Sequence, residues 1–150
     1  DAIFVGSGHP GGMDHWPEYV CAILEDADGR LLLESRPESA RLAAGQLTCF
    51  GGRRENGETP EQCLLRELLE ELNWQPQTYH KQVELRVGGK LIAWFYHAVL
   101  DVPVDELHVL PNYQARLVAP GALSELPVSP WHAATLRTWL EGRTVVELDA

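Results

Sequence analysis

The amino-acid sequence predicts an α/β (α+β) fold in which a mixed β-sheet is sandwiched between α-helices. The first observation is the order of the predicted elements, which runs strands, helix, strands, helix instead of a regular βαβ repeat. The second is size, because 150 residues that are 45% apolar suffice for one domain with a buried core. One domain is therefore expected over residues 13–150. Residues 1–12, ahead of the single methionine, are interpreted as an added leader or a natural flexible tail.

Strands dominate the first fifty residues. Aromatic and β-branched side chains mix over residues 19–25, and Asp28-Gly29 is a typical hairpin turn before a second strand over residues 30–35. Pro37 opens a predicted loop that extends to residue 45. A third strand is expected over residues 46–50, ending at Gly51-Gly52.

The clearest helix signal covers residues 59–72. Thr59 is the expected N-cap, Pro60 suits the first helical position, and Gln62 completes a capping box. Asn73 suits the left-handed position that ends a helix. Leucines recur at helical spacing and are expected to pack on the sheet, namely Leu64, Leu65, Leu68, Leu69 and Leu72.

The second half of the chain predicts two strands, a loop, a third strand and a final helix, over residues 81–87, 90–100, 101–114, 115–118 and 130–141. Gly88-Gly89 is the expected turn between the first two strands. Ser129 is the expected N-cap of the final helix, and Gly142 is its stop signal.

The charge balance restricts the partners. Twenty-two acidic residues against twelve basic residues give a net charge of −10, which argues against nucleic-acid polymers and anionic membranes as partners. No apolar stretch approaches the ~18–20 residues that a membrane-spanning helix needs, and the N-terminus lacks the pattern of a secretory signal. Cys21, Cys49 and Cys63 have no metal-binding spacing. They predict reduced thiols, packed as small apolar side chains, in a cytoplasmic protein.

Three carboxylates share one face of the predicted helix. Glu67, Glu70 and Glu71 stand at i, i+3 and i+4, and Arg66 precedes Glu70 by four residues, so the two can pair. Carboxylates this close repel one another unless a positive charge compensates them, and a hard cation such as Mg²⁺ prefers such oxygen ligands. The alternative interpretation is an acidic helix face that is merely solvated.

The segment from Gly52 to Trp74 resembles the Nudix box of Nudix hydrolases, G-x5-E-x7-R-E-U-x-E-E-x-G-U, where U is a bulky apolar residue. Eight of its nine defined positions are met, by Gly52, Glu58, Arg66, Glu67, Leu68, Glu70, Glu71 and Trp74. The exception is Asn73, which replaces the family's glycine. Because Asn tolerates a positive φ at a cost of about 1 kcal/mol relative to Gly, we expect the loop–helix–loop to survive.

The resemblance implies the Nudix fold and Mg²⁺- or Mn²⁺-dependent hydrolysis of a pyrophosphate bond in a nucleoside diphosphate linked to another group. The sequence GETPEQ in the box resembles that of MutT-like members, which favours nucleoside triphosphates as substrates. Nucleotide sugars are the alternative substrates. The implied metal ligands are Glu67, Glu70, Glu71 and the Gly51 carbonyl. The implied catalytic residues are Glu67 as base or ligand, Glu70, Arg66 as orienting partner, and Glu58 as support. A nucleotide-binding sensor of the same fold without turnover is the alternative, and homodimers are frequent in the family.

Candidates for substrate contacts are less distinct. Arg36, Arg53 and Arg54 flank the box and are candidates for phosphate binding, while Phe50 and Tyr113 are candidates for contact with a base. Residues 94–96 form an aromatic run in which at least one ring should face the core. Some family members take a base from a loop outside the box, but Gln114 stands at that place here. Three nearby acids are candidate substitutes for that base, and the favoured interpretation of each is a solvated loop acid, namely Asp101, Asp105 and Glu106.

Overall fold

The computed structural model describes residues 15–150, so the predicted leader and residues 13–14 of the predicted domain lie outside the described residues. The described part of the chain forms eight strands, in order β1 (Tyr19–Glu25), β2 (Leu31–Ser35), β3 (Leu47–Thr48), β4 (Phe50–Arg53), β5 (His80–Val87), β6 (Lys90–Val99), β7 (Gln114–Val118) and β8 (Val145–Leu148). It also forms helices α1 (Pro60–Leu72) and α2 (Pro130–Leu140), with 3₁₀ helices at Val104–Glu106 and Pro120–Glu125.

The strands form one mixed sheet in the order β3-β2-β1-β6-β5-β8, with β4 also paired to β1 and β7 to β2. The β1–β6 and β5–β8 pairs are parallel, and the other strand pairs are antiparallel. Positive φ at Gly29, Gly88 and Gly89 allows the two predicted turns. The mixed sheet is therefore confirmed.

The core lies on both faces of this sheet. Alternate residues of β1 point to opposite faces, so Val20 packs with Leu64 and Leu68 of α1, whereas Ile23 packs with Leu136 of α2. The sheet thus lies between the two helices, as predicted. Free thiols are buried as small core side chains, at Cys21, Cys49 and Cys63.

Local signals define α1. Thr59 and Gln62 form the predicted capping box, Pro60 occupies the first turn, and Asn73 adopts the left-handed conformation with φ 53°. The N–H of Asn73 donates to the carbonyl of Leu69 at 3.0 Å, which ends the helix where the sequence predicted. The prediction that all five leucines pack on the sheet is wrong for Leu69, whose side chain lies on the outer side and is 49% exposed. It is also wrong for Leu65, which is only partly buried and belongs to neither core cluster.

Three expectations need correction. The predicted strand over residues 46–50 is split into β3 and β4, and β4 continues through both glycines because Gly51 and Gly52 pair with Cys21 and Val20 of β1. The strand β8 was not predicted, since its four residues are ordered by parallel pairing with β5. Ser129 occupies the N-cap of α2, but its side chain makes no capping hydrogen bond there.

Within residues 15–150, no helix is both long and apolar enough to cross a membrane.

Candidate active site

Two consecutive glycines on β4 make the floor of the site. Gly51 has φ +144°, and a Cβ there would lie 2.3 Å from the carbonyl oxygen of Val20, so only glycine fits between β4 and β1. A Cβ on Gly52 would lie 2.5 Å from the carboxylate of Glu67. The strand therefore touches β1 on one side and the side chain of Glu67 on the other.

The face of α1 that carries the carboxylates lies over this floor. The side chains of Glu67 and Glu70 are 15% and 57% exposed, which places Glu67 inside the site and Glu70 at its rim. Glu71 reaches β4, where its Oε1 accepts a hydrogen bond of 3.0 Å from the N–H of Gly51. Glu67 and Glu71, which the sequence predicted on one face of the helix, therefore both contact β4.

Arg66 connects these carboxylates. Its Nε and Nη2 donate to the two carboxylate oxygens of Glu58, and its Nη1 donates to Glu67 at 3.0 Å and to Glu70 at 3.2 Å. Nη2 also donates to the carbonyl of Arg53 at 3.1 Å. Because its donors are engaged within the protein, Arg66 orients carboxylates and is not free to bind a phosphate.

The environment shifts the pKa values of the carboxyl groups in opposite directions. The hydrogen bonds from Arg66 lower the pKa of Glu58 to about 2. Burial, together with the charges of Glu34 and Glu67, raises the pKa of Glu71 to about 9. Burial also raises the pKa of Glu67, although Arg66 opposes this shift. The site therefore holds buried carboxyl groups whose negative charge lacks full compensation.

This arrangement fits a divalent cation that is shared with a substrate. In the described part of the chain, no three His, Cys, Asp or Glu side chains converge into a complete metal cage. Mg²⁺ needs no such cage, because it keeps several waters and typically takes one or two carboxylates together with substrate phosphates. A cation beside Glu71 would supply the charge that keeps this buried carboxylate ionised.

One site residue was missed by the sequence analysis. Glu34 on β2 is 2% exposed and accepts a hydrogen bond of 2.8 Å from Nη1 of Arg36. Its charge contributes to the raised pKa of Glu71, so the two carboxylates lie within electrostatic reach. The signal in the sequence was a glutamate that ends an otherwise apolar strand, LLLES, two residues before an arginine.

Two candidate substrate residues meet beside these carboxylates. The Cζ atom of Arg36 lies 5.3 Å from the ring centroid of Tyr113, and the Arg36 charge opposes the raised pKa of Glu71. Gln114 opens β7 opposite Ser35, which brings its segment to the same end of β2.

The structure does not bring the other candidates to the carboxylates. Phe50 is fully buried beneath α1, so the interpretation as a residue that stacks on a base is wrong. Arg53 pairs with Glu18 at 2.9 Å, in an open groove that no carboxylate of the Nudix box lines. Arg54 donates to the carbonyl of Glu58 at 3.1 Å and lies against the ring of Trp16, where it supports the loop before α1.

Other residues named from the sequence lie in the core or at the surface. Phe95 and Tyr96 are core residues on opposite faces of β6, as expected for such a run. Asp101 accepts a hydrogen bond of 3.0 Å from Nε1 of Trp74. Asp105 and Glu106 are exposed in a 3₁₀ helix.

Comparisons of the sequence and the fold with known proteins identify relatives of this chain. The NUDIX domain model matches residues 15–139. The CTP pyrophosphohydrolase of Escherichia coli (strain K12) is 32% identical over 119 residues, covering 74% of this chain and 87% of that protein. The solution structure of the E. coli ORF135 protein is 26% identical, with a TM-score of 0.60, and the match covers 89% of this chain and 94% of that one.

The fold also matches more distant structures. The MutT protein from Methanosarcina mazei Go1 has a TM-score of 0.67 at 18% identity, covering 85% of this chain and 96% of that one. The chain belongs to the Nudix family of hydrolases. Within that family it is a Nudix pyrophosphohydrolase, and its fold resembles that of MutT.

Proposed function

We propose that the protein hydrolyses the pyrophosphate bond of a nucleoside triphosphate in a reaction that depends on Mg²⁺, for which Mn²⁺ can substitute. The observation that carries this proposal is the position of Glu71. This carboxylate is held by the N–H of Gly51 and lies within reach of the charges of Glu34 and Glu67. A buried cluster of this sign favours a cation, and a cation in turn attracts a polyphosphate to a protein whose net charge is −10.

Glu70 and Glu71 are the proposed metal ligands, with the carbonyl of Gly51 beside them. When bound, the cation supplies charge neutralisation of the diphosphate and acidifies an adjacent water. Glu67 either completes the ligand set or takes the proton of the attacking water. Its half-buried carboxyl, with a raised pKa, suits a base better than an exposed glutamate does.

The other residues orient and bind. Arg66 and Glu58 hold the carboxylates through the hydrogen bonds described above. Arg36 is the proposed phosphate ligand, beside Tyr113. In the reaction, the water oxygen forms a bond to one phosphorus and the bridging P–O bond breaks. The water proton passes to a carboxylate, and the second phosphoryl group leaves with the bridging oxygen.

The choice of substrate class follows the relatives. The name of the E. coli relative refers to CTP, which supports CTP and other nucleoside triphosphates as the first substrates to test. Nucleotide sugars are the second class to test, because each is a nucleoside diphosphate linked to another group and contains the same pyrophosphate bond.

A panel of nucleoside triphosphates and nucleotide sugars with Mg²⁺ or Mn²⁺ tests this proposal. We expect turnover of at least one triphosphate with release of pyrophosphate, and loss of turnover when a chelator removes the metal. Absence of turnover across the panel at neutral to alkaline pH would overturn the proposal. Nucleotide binding without turnover would then identify the sensor alternative.

We also infer a cytoplasmic location and a homodimer. The location rests on three buried free thiols, and the dimer rests on the family resemblance. Microscopy of a tagged chain and sedimentation analysis of the purified protein test the two inferences.

A further inference from the structure

Arg36 is held from three sides. Its Nε donates to the carbonyl of Leu42 at 2.7 Å, its Nη1 donates to Glu34 at 2.8 Å, and the ring of Tyr113 lies 5.3 Å from its Cζ. Among residues 15–150, no protein acceptor engages its Nη2. The guanidinium is therefore fixed while two of its N–H groups stay available to a ligand.

The position of Glu34 follows from the pleat of β2. Side chains two residues apart lie on the same face of a strand, and Leu32 packs into the core cluster beneath α1. Glu34 is thus on the side of the sheet that α1 covers. Its contribution to the raised pKa of Glu71 agrees with this placement.

Burying a carboxylate near other negative charges costs free energy unless a positive charge compensates it. Glu34 is 2% exposed, and Arg36 is its one ion-pair partner in the described part of the chain. Without Glu34, Arg36 would lose its ion-pair partner among residues 15–150, and its charge already acts on the carboxyl group of Glu71. An arginine drawn to Glu71 would compete with the cation and leave the phosphate without its donor.

We propose that Glu34 is a positioning residue, which holds Arg36 so that its free Nη2 binds a substrate phosphate instead of pairing with Glu71. This inference rests on the proposed function, because phosphate binding by Arg36 is part of it. It adds a residue from outside the Nudix box to the machinery of the site.

The chain contains a matched control pair. Glu84 and Arg86 are also two residues apart on a strand, and their Nη1–Oε2 distance is 2.9 Å. They lie on β5, which is not adjacent to β2 in the sheet. Substituting Glu84 removes the same charge from the same kind of pair, away from the site.

The test measures binding of inorganic pyrophosphate by calorimetry in the presence of Mg²⁺, and KM and kcat for the best triphosphate. We expect Glu34→Ala to weaken pyrophosphate binding at least ~10-fold and to raise KM more than it lowers kcat. Glu34→Gln keeps an acceptor for Nη1 and should recover part of the loss. Glu84→Gln should stay within about twofold of the parent protein.

A double-mutant cycle separates positioning from a merely structural role. In an Arg36→Ala background, removing Glu34 should weaken pyrophosphate binding no further. Equal losses in both backgrounds, or unchanged binding in the folded Glu34→Gln and Glu34→Ala proteins, would overturn the inference. If no triphosphate is turned over but pyrophosphate binding follows this cycle, the proposed function fails and the role of Glu34 stands.

Discussion

The N–H of Gly51 donates a hydrogen bond of 3.0 Å to Oε1 of Glu71, and this contact joins β4 to the last turn of α1. Because β4 is paired with β1, the strand holds the carboxylate in a fixed position relative to the sheet. Glu71 is also the carboxyl whose pKa is raised to about 9 by burial and neighbouring charges. Position and electrostatics therefore single out the same side chain.

Replacing either proposed ligand should abolish most of the activity. Glu70→Gln and Glu71→Gln remove a charge that the cation needs, and we expect turnover to fall at least ~100-fold, a loss of ~2.7 kcal/mol of transition-state stabilisation. Steady-state kinetics at saturating Mg²⁺ measure this.

Glu61→Gln is the control, because Glu61 lies on the first turn of the same helix and accepts a hydrogen bond from Tyr96. It should change turnover less than twofold. Parental turnover in both ligand variants would contradict the metal assignment.

The contact between Gly52 and Glu67 leads to a second prediction. In Gly52→Ala, the new Cβ would lie 2.5 Å from the carboxylate of Glu67, and this flexible group must move. We therefore expect kcat to fall at least ~10-fold while the unfolding free energy changes by less than about 1 kcal/mol. Kinetics and chemical denaturation measure the two effects.

Gly121→Ala is the matched control, since no atom lies within 4 Å of a Cβ there. It should leave both quantities unchanged. Gly51→Ala should instead destabilise the fold, because its Cβ would meet the backbone of Val20. A Gly52→Ala protein with full kcat would show that the place of Glu67 is not critical.

Features of this fold that depend on neighbouring residues were predictable from the sequence. The capping box of Thr59, the left-handed Asn73 and the shared face of Glu67 and Glu71 all follow from spacing within one helix. The resemblance to the Nudix box then indicated that this helix face binds a metal ion.

Features that depend on distant contacts were not predictable. Consecutive glycines normally weaken a strand, yet Gly51 and Gly52 lie within β4 because close approach of β1 and Glu67 requires them. Glu34 resembled an ordinary glutamate near a strand end, but β2 brings it within electrostatic reach of Glu71. Phe50 was misassigned for the same reason, since it is buried in the core cluster that the sheet forms with α1.

A third prediction concerns Arg66. Its planar guanidinium holds Glu58, Glu67 and Glu70 at once, which a lysine ammonium cannot do. Arg66→Lys keeps the charge and should still lower kcat about 10- to 100-fold, with a smaller change in KM, because Arg66 has no free donor for the substrate. A variant that raised KM alone would show that Arg66 binds substrate directly.

The last prediction concerns acid stability. His132 on α2 accepts a hydrogen bond of 3.1 Å from the N–H of Cys49 through its Nδ1. Burial, with a smaller effect from Arg36, lowers the pKa of His132 to about 4. Protonation would place a positive charge in this environment and remove the acceptor for Cys49.

The direction of the effect follows from proton linkage. Between pH 4 and the unfolded pKa of ~6.5, the unfolded chain binds more protons at His132 than the folded chain does, so stability falls as the pH falls. We expect ~1–2 kcal/mol of the loss in unfolding free energy between pH 7.5 and 5.0 to come from His132. Urea denaturation of the parent and of His132→Gln, which cannot take up this proton, measures it. Equal pH dependence in the two proteins would contradict the assignment, because the remaining carboxyl groups titrate in both.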